Sequence, residues 1–242
     1  MKSAPIPIAS ALVYYAFVAL PIVMTFLMCL VHRRVRPQVR GGPSSLGVSA
    51  FAFLWLWATG GIGLSGVLGR FDLMPPPFVV LLFITLLVCV YFGLSRTGAT
   101  LAAVPLAWLV GLQAFRLPLE LVMHRAAVEG VMPEQMSYTG WNFDILTGVT
   151  ALLLAPAIAG GRVPRWAIAA WNALGALLLL NVVTIAIVST PVFQAFGKAP
   201  HKVNTFVAFF PYVWLPTVLV ATAIVLHIAT ARALRTTSDR AA

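Results

Sequence analysis

With 61% hydrophobic residues, 9% charged residues and a mean hydropathy of +0.97, this chain of 242 residues is excluded from the water-soluble class. A soluble domain of that length carries about a quarter charged residues to cover its surface. The net charge of +10 invites a nucleic-acid reading, but no basic patch is interleaved with aromatics on a polar face, so no nucleic-acid partner is expected.

Apolar runs occupy residues 8–31, 46–68, 75–94, 98–117, 142–160, 166–189 and 206–234. A membrane-crossing helix needs about 20 residues. The third run reaches that only with its Pro75–Pro77 lead-in. The fifth reaches it only by starting near Trp141, which puts Asp144 in its first turn. The first run is too long for a signal-peptide core, lacks a small-residue cleavage site and ends in His32-Arg33-Arg34-Val35-Arg36. That is a stop-transfer flank, and the run reads as a mature helix. In the second run, Thr59-Gly60-Gly61-Ile62-Gly63-Leu64-Ser65-Gly66 supplies small residues for close helix approach. A phosphate loop is the rival, but the run lies inside a span and carries no lysine.

Ten of the sixteen basic residues fall at Arg33, Arg34, Arg36 and Arg40, at Arg96, at Arg162 and Arg165, and at Arg232, Arg235 and Arg240. These are alternate connections plus the C-terminal tail, the positive-inside pattern. The expected fold is therefore an all-α polytopic membrane helix bundle of about seven transmembrane helices, a single domain, N-terminus out and C-terminus in. Membrane lipids are the expected partners. Cys29 and Cys89 fall toward the cytoplasmic ends of their spans, a reducing side, so no disulfide is expected. Trp141 and Trp166 sit at span ends, where amphipathic rings prefer the headgroup level. Trp55, Trp57, Trp108, Trp171 and Trp214 lie deeper and are expected between helices.

Four of the six acids fall within residues 116–144, together with Arg116, His124 and Arg125. Ionisable side chains near bilayer depth are costly and mark functional sites by default. The fourth run places Arg116 at the outer interface. Pro118 either kinks that helix or opens a new one. Glu120 and His124, four apart, share a helix face, and Arg116 joins the stripe if the helix continues. Asn142 or Asp144 is placed to cap the fifth helix. Arg116 and Glu120 have a bland reading as an ion-pair clamp. Their functional reading sets Glu120 and Asp144 across a pocket with Arg116 as counter-ion.

A zinc set of Glu120, His124 and His201 would require the outer loop after the sixth span to fold back, with no HExxH pattern to support it. Haem ligation by His124 and His227 fails because the pattern sets them on opposite sides of the bilayer. No metal and no cofactor are expected. Within spans, Gln113, Thr147, Thr150, Asn172, Asn181, Thr184 and His227 are the few polar residues. Asn181 and Thr184 share a face and could extend an outer pocket inward, although interhelical hydrogen bonds are the favoured account of them.

Arg116-Leu117-Pro118-Leu119-Glu120, Asn142-Phe143-Asp144-Ile145-Leu146-Thr147-Gly148, Leu180-Asn181-Val182-Val183 and Phe210-Pro211-Tyr212-Val213-Trp214-Leu215-Pro216 together resemble a family of uncharacterised multi-pass bacterial integral-membrane proteins. The resemblance implies a bacterial cytoplasmic (inner) membrane protein of similar topology and brings no activity with it.

Three functions arise as expectations. The first is binding or transport of a small amphiphilic or lipid-like ligand on the periplasmic side. There Arg116 would hold an anionic headgroup, with Glu120, His124, Asn142, Asp144 and Asn181 around it. The second is an intramembrane enzyme acting on a lipid or isoprenoid, with Glu120 or Asp144 as acid/base. The third is a structural subunit clamped by Arg116 and Glu120.

Overall fold

The computed structural model describes residues 6–39 and 41–238, and every regular element among them is helical. Arg40 and Arg240 of the charge pattern lie outside the described residues. Helix α1 (Ala11–Val35) starts at Ser10, whose Oγ accepts the Val13 N–H at 3.4 Å. Helix α2 (Ser45–Leu64) starts the same way from Ser44 to the Gly47 N–H at 3.1 Å. Such hydroxyls satisfy first-turn amides that have no partner within the helix. Prolines mark the starts of α3 (Pro77–Leu94), α5 (Leu106–Leu112) and α8 (Arg165–Val188). Their missing N–H costs nothing at a helix start.

The short α4 (Arg96–Ala102) is separate from α5, because a proline disfavours helix in the residue before it and Pro105 interrupts the run. Helix α5 then passes through one 3₁₀ turn, Gln113–Phe115, into α6 (Arg116–Val128). The fourth long helix is therefore Leu106–Val128, not 98–117. Arg116 moves with it: the residue expected at a span end lies in the middle of a 23-residue apolar helix.

Among the described residues, six helices are long and apolar enough to cross a membrane. The remaining expected span is α7 (Ile145–Ala159), at 15 residues shorter than the others. The final stretch opens with a π-helical segment, Leu215–Val220, and continues as α9 (Ala221–Ser238). Half of this last stretch is buried, more than in any other candidate span. It is the central post, contacted by α1, α3, α4, α5 and α8.

The opposite surfaces of the outer helices carry bare apolar side chains, among them Leu54, Phe83, Leu87, Leu153 and Leu177. A belt of that extent suits hydrocarbon rather than water. Trp57 belongs to it at 79% exposure, so it does not pack between helices as expected, whereas Trp171 and Trp214 do.

Within the glycine run of α2, Gly63 allows the closest approach. A Cβ there would stand 2.7 Å from Val213 Cγ1 and 3.1 Å from the Phe210 amide nitrogen. Nearby, the Trp55 indole donates to the Thr217 carbonyl and the Trp214 indole to the Leu56 carbonyl, both at 2.9 Å. These bonds stitch α2 to the π-helical segment, where backbone pairing is irregular.

The basic connections meet at one end of the bundle. Arg96 donates to the Gly41 carbonyl, Arg232 to those of Gly93 and Ser95, and Arg165 to that of Leu234. At the other end the Ser10 N–H donates to Glu129 Oε2 at 2.8 Å, and Arg125 donates to Oε1 at 2.7 Å. The Ser10 bonds first, then Arg125, hold the Glu129 carboxyl below its ordinary range. A carboxyl depressed in the folded state adds stability above its unfolded pKa and loses it as pH falls through the folded one. The stability difference between wild type and Glu129→Gln is therefore expected to be largest near neutrality and to shrink on acidification through about pH 4. Thermal unfolding of both proteins across that range measures it.

Candidate functional site

Arg116, Glu120 and Asp144 are brought together, with pairings other than those the sequence suggested. Arg116 is 1% exposed, and its Nε meets Asp144 Oδ2 at 2.7 Å. The ion pair therefore joins α6 to the start of α7, and the expected Arg116–Glu120 pair is not formed among the described residues. Gly148 makes this crossing possible, since a Cβ there would stand 2.3 Å from the Leu117 amide nitrogen. Asp144 occupies the N-cap position of α7 but makes no capping bond to its amides; its Oδ1 accepts the Thr147 hydroxyl at 3.3 Å. Asn142 works on both sides. Its Oδ1 accepts the Asp144 N–H at 2.9 Å, and its amide nitrogen donates to Glu120 Oε2 at 2.8 Å and to the Met136 carbonyl at 2.9 Å.

His227 completes the cluster, and this corrects its expected place on the far side from the 116–144 segment. Its Nε2 lies 3.1 Å from Arg116 Nη1. A guanidinium has only donors, so Nε2 accepts and the proton sits on Nδ1. The Nδ1–H then meets Asn172 Oδ1 at 2.9 Å, while the Asn172 amide nitrogen donates to the His227 carbonyl at 3.2 Å. The chain of bonds is self-consistent only for neutral histidine. Asn172 and His227 looked like ordinary interhelical hydrogen-bonding groups in the sequence. The displaced fourth helix is what sets Arg116 at their level.

Two other expected residues stay outside. His124 is half-buried, hydrogen-bonded through Nδ1 to Ser137 Oγ at 3.1 Å and stacked on Tyr138 with centroids 4.6 Å apart. Asn181 donates to the Trp141 carbonyl at 2.8 Å, and the exposed Thr184 bonds its own helix at Leu180. Neither extends the pocket inward. Among the described residues no three His, Cys, Asp or Glu side chains gather as a metal set.

A cavity of about 60 Å³ lies beside the cluster, walled by Arg116, Glu120 and Asp144 and otherwise by side chains that are apolar except for Thr85 and Asn204. Its sides are Leu82 and Leu86 of α3, Val183 and Ile187 of α8, and Leu219 behind them. Helices α3 and α8 each pack on α9 rather than on one another, so the gap between them forms a cleft down the side of the bundle. Leu86, Val183, Ile187, Val220 and Ile224 are half-buried at its rim.

Among the described residues, three polar atoms beside the cleft have no partner. Arg116 Nη2 and Asn204 Oδ1 are buried without a partner. Glu120 accepts only at Oε2, leaving Oε1 without a hydrogen bond among the described residues. Arg116 is thus no free cation awaiting an anion. One guanidinium faces two carboxyl groups, and one of these already pairs with it.

No curated protein and no solved structure matches the chain. The sequence pattern of a domain of unknown function, DUF8737, matches residues 74–235. That range takes in α3 to α8 and all but the last three residues of α9, with every member of the buried cluster and the whole cleft, and it leaves α1 and α2 outside. Because the match covers well over half of its length, the chain belongs to the DUF8737 family.

Proposed function

We propose that this protein binds a small amphiphilic, lipid-like molecule whose tail lies in the cleft between α3 and α8 and whose head meets Glu120 and Arg116. The observation that carries this reading is the pairing of free polar atoms with an apolar side cleft: Glu120 Oε1 and Arg116 Nη2 at its head. A buried donor left unpaired costs about 1–3 kcal/mol, and a ligand that supplied the partner would recover it. The head that fits both donates to Glu120 and accepts from Arg116, as a hydroxyl does. An anionic head is disfavoured by the two carboxyl groups. In this reading α7 is a seventh, short span, and the basic end of the bundle is cytoplasmic. The cleft head then lies on the periplasmic half of a bacterial inner membrane. The arginine distribution supports that orientation.

A second reading, an enzyme acting on a lipid or isoprenoid, has one favourable observation: Glu120 borders the cleft with one oxygen unbonded. Asp144 is already held by Arg116 and Thr147, and His124 makes its bonds elsewhere, so acid/base work would fall to Glu120 alone.

Native mass spectrometry of protein extracted in mild detergent tests the binding reading. Wild type is expected to retain an adduct of one defined mass, and Val183→Trp, which plugs the cleft at its rim, is expected to lose it. Glu120→Gln keeps the shape and should retain the fold while weakening the adduct. A bare mass for wild type and both variants would refute the reading.

A further inference from the structure

A second cavity, of about 150 Å³, lies on the other face of the π-helical segment, between α1, α2, α3, α4 and α9. Thr217 and Val218 wall it, while Leu215, Pro216 and Leu219 of the same segment wall the first cleft. At its edge stands His32, 1% exposed, with neither ring nitrogen bonded. Buried polar groups in folded proteins are almost always paired, so an imidazole with two vacant nitrogens marks something that completes it. The Thr25 and Thr97 hydroxyls, also buried in the wall, make no hydrogen bond among the described residues.

We infer that this cavity is a binding site for the ring of a membrane-soluble quinone. Size is the first argument: an apolar cavity of roughly 150 Å³ accommodates one six-membered ring, so a quinone ring fits with its substituents and tail toward the open mouth. Charge is the second. Among the described residues no Asp, Glu, Lys or Arg lines the cavity, so the occupant is uncharged. Hydrogen-bond chemistry is the third, since a neutral imidazole offers one N–H and the two hydroxyls offer donors, which suits carbonyl oxygens.

Shape is the fourth. Phe51 of α2 lies across from Phe92 of α3 with centroids 4.7 Å apart and stacks with Trp55 at an interplanar angle of 17°. All three rings line the cavity and form an aromatic wall against which a planar ring can pack. Helix α2 packs on α1 while α3 packs on α9, so the seam between α2 and α3 is bridged chiefly by Phe51 and Phe92. Phe51 is itself 38% exposed, which places the mouth on the hydrocarbon side, where an isoprenoid tail remains in lipid.

The test is calorimetric titration of the full chain in lipid nanodiscs with 2,3-dimethoxy-5-methyl-1,4-benzoquinone carrying one isoprene unit. Wild type is expected to bind one equivalent saturably. His32→Phe, which keeps a ring and removes both nitrogens, is expected to weaken binding at least tenfold. If His32→Phe does not fold, Ala52→Leu, which fills the half-buried mouth without touching a polar group, is expected to do the same. Val183→Trp, in the other cleft, should leave this affinity unchanged. Absence of saturable binding to wild type would mean a water-filled cavity and overturn the inference. Unchanged affinity in folded His32→Phe, or loss of binding in Val183→Trp alone, would overturn it equally.

Discussion

Replacement of Arg116 by leucine is expected to destabilise the bundle by about 3–5 kcal/mol, the usual cost of removing one partner from a buried charge pair. The loss has three physical parts. Asp144, 3% exposed, would keep only the Thr147 hydroxyl; Glu120 would lose its nearby positive charge; and His227 Nε2 would lose its donor. Because the cost comes from an uncompensated charge rather than from lost packing, the double variant Arg116→Leu/Asp144→Leu should regain most of the stability. Denaturant unfolding in detergent compares the three proteins. An Arg116→Leu protein within about 1 kcal/mol of wild type would show that the pair contributes little.

The second large effect is expected at Gly148. In Gly148→Val the new Cβ would sit 2.3 Å from the Leu117 nitrogen and 2.9 Å from the Arg116 carbonyl carbon. These are backbone atoms and cannot rotate aside, so α6 and α7 must part. Overpacking of this kind costs about 1–3 kcal/mol or more. Asp144 lies one turn before Gly148, so the separation also stretches the 2.7 Å ion pair. The effects of Gly148→Val and Arg116→Leu should therefore not add. Gly61→Ala is the control: nothing lies within 4 Å of the added Cβ, and it should not destabilise, since alanine inside a helix is favoured over glycine by about 0.5–1 kcal/mol.

Much of this architecture is written in the chain, because apolar runs of spanning length and arginine-rich connections are one-dimensional signals. The concentration of acids at 116–144 likewise pointed to the residues that form the buried cluster. What the linear pattern could not show was the phase of the fourth helix. An apolar count treats 98–117 as one run, whereas Pro105 splits it and lets the helix continue through Pro118 to Val128. That displacement lowers Arg116 to the level of His227 and Asn172, and it changes the partner of Arg116 from Glu120 to Asp144. Helical spacing made Arg116 and Glu120 neighbours, but the choice between two carboxyl groups depends on tertiary approach, which Gly148 controls. The cavities were hidden for the same reason. A cleft between α3 and α8 results from both helices packing on a common third, a relation that no local pattern records.

The arrangement also separates the functional readings. A purely structural clamp requires the ion pair and no ligand space. Here the pair is present, and a cleft with free polar atoms lies beside it. Under the proposal, the clamp and the binding site are two uses of one cluster: Asp144 holds Arg116 in place, and Glu120, with one oxygen unbonded among the described residues, would meet the ligand.

The most direct test of that claim is photo-crosslinking in native membranes from a benzophenone amino acid placed at Leu86, half-buried in the cleft wall at its rim, or at Leu87, 54% exposed on the outer face. Mass spectrometry of the products is expected to show one dominant non-protein amphiphile attached at position 86, and bulk phospholipid in proportion to its abundance at position 87. The same phospholipid mixture at both positions, or protein crosslinks alone at 86, would contradict the proposal that the cleft selects a ligand.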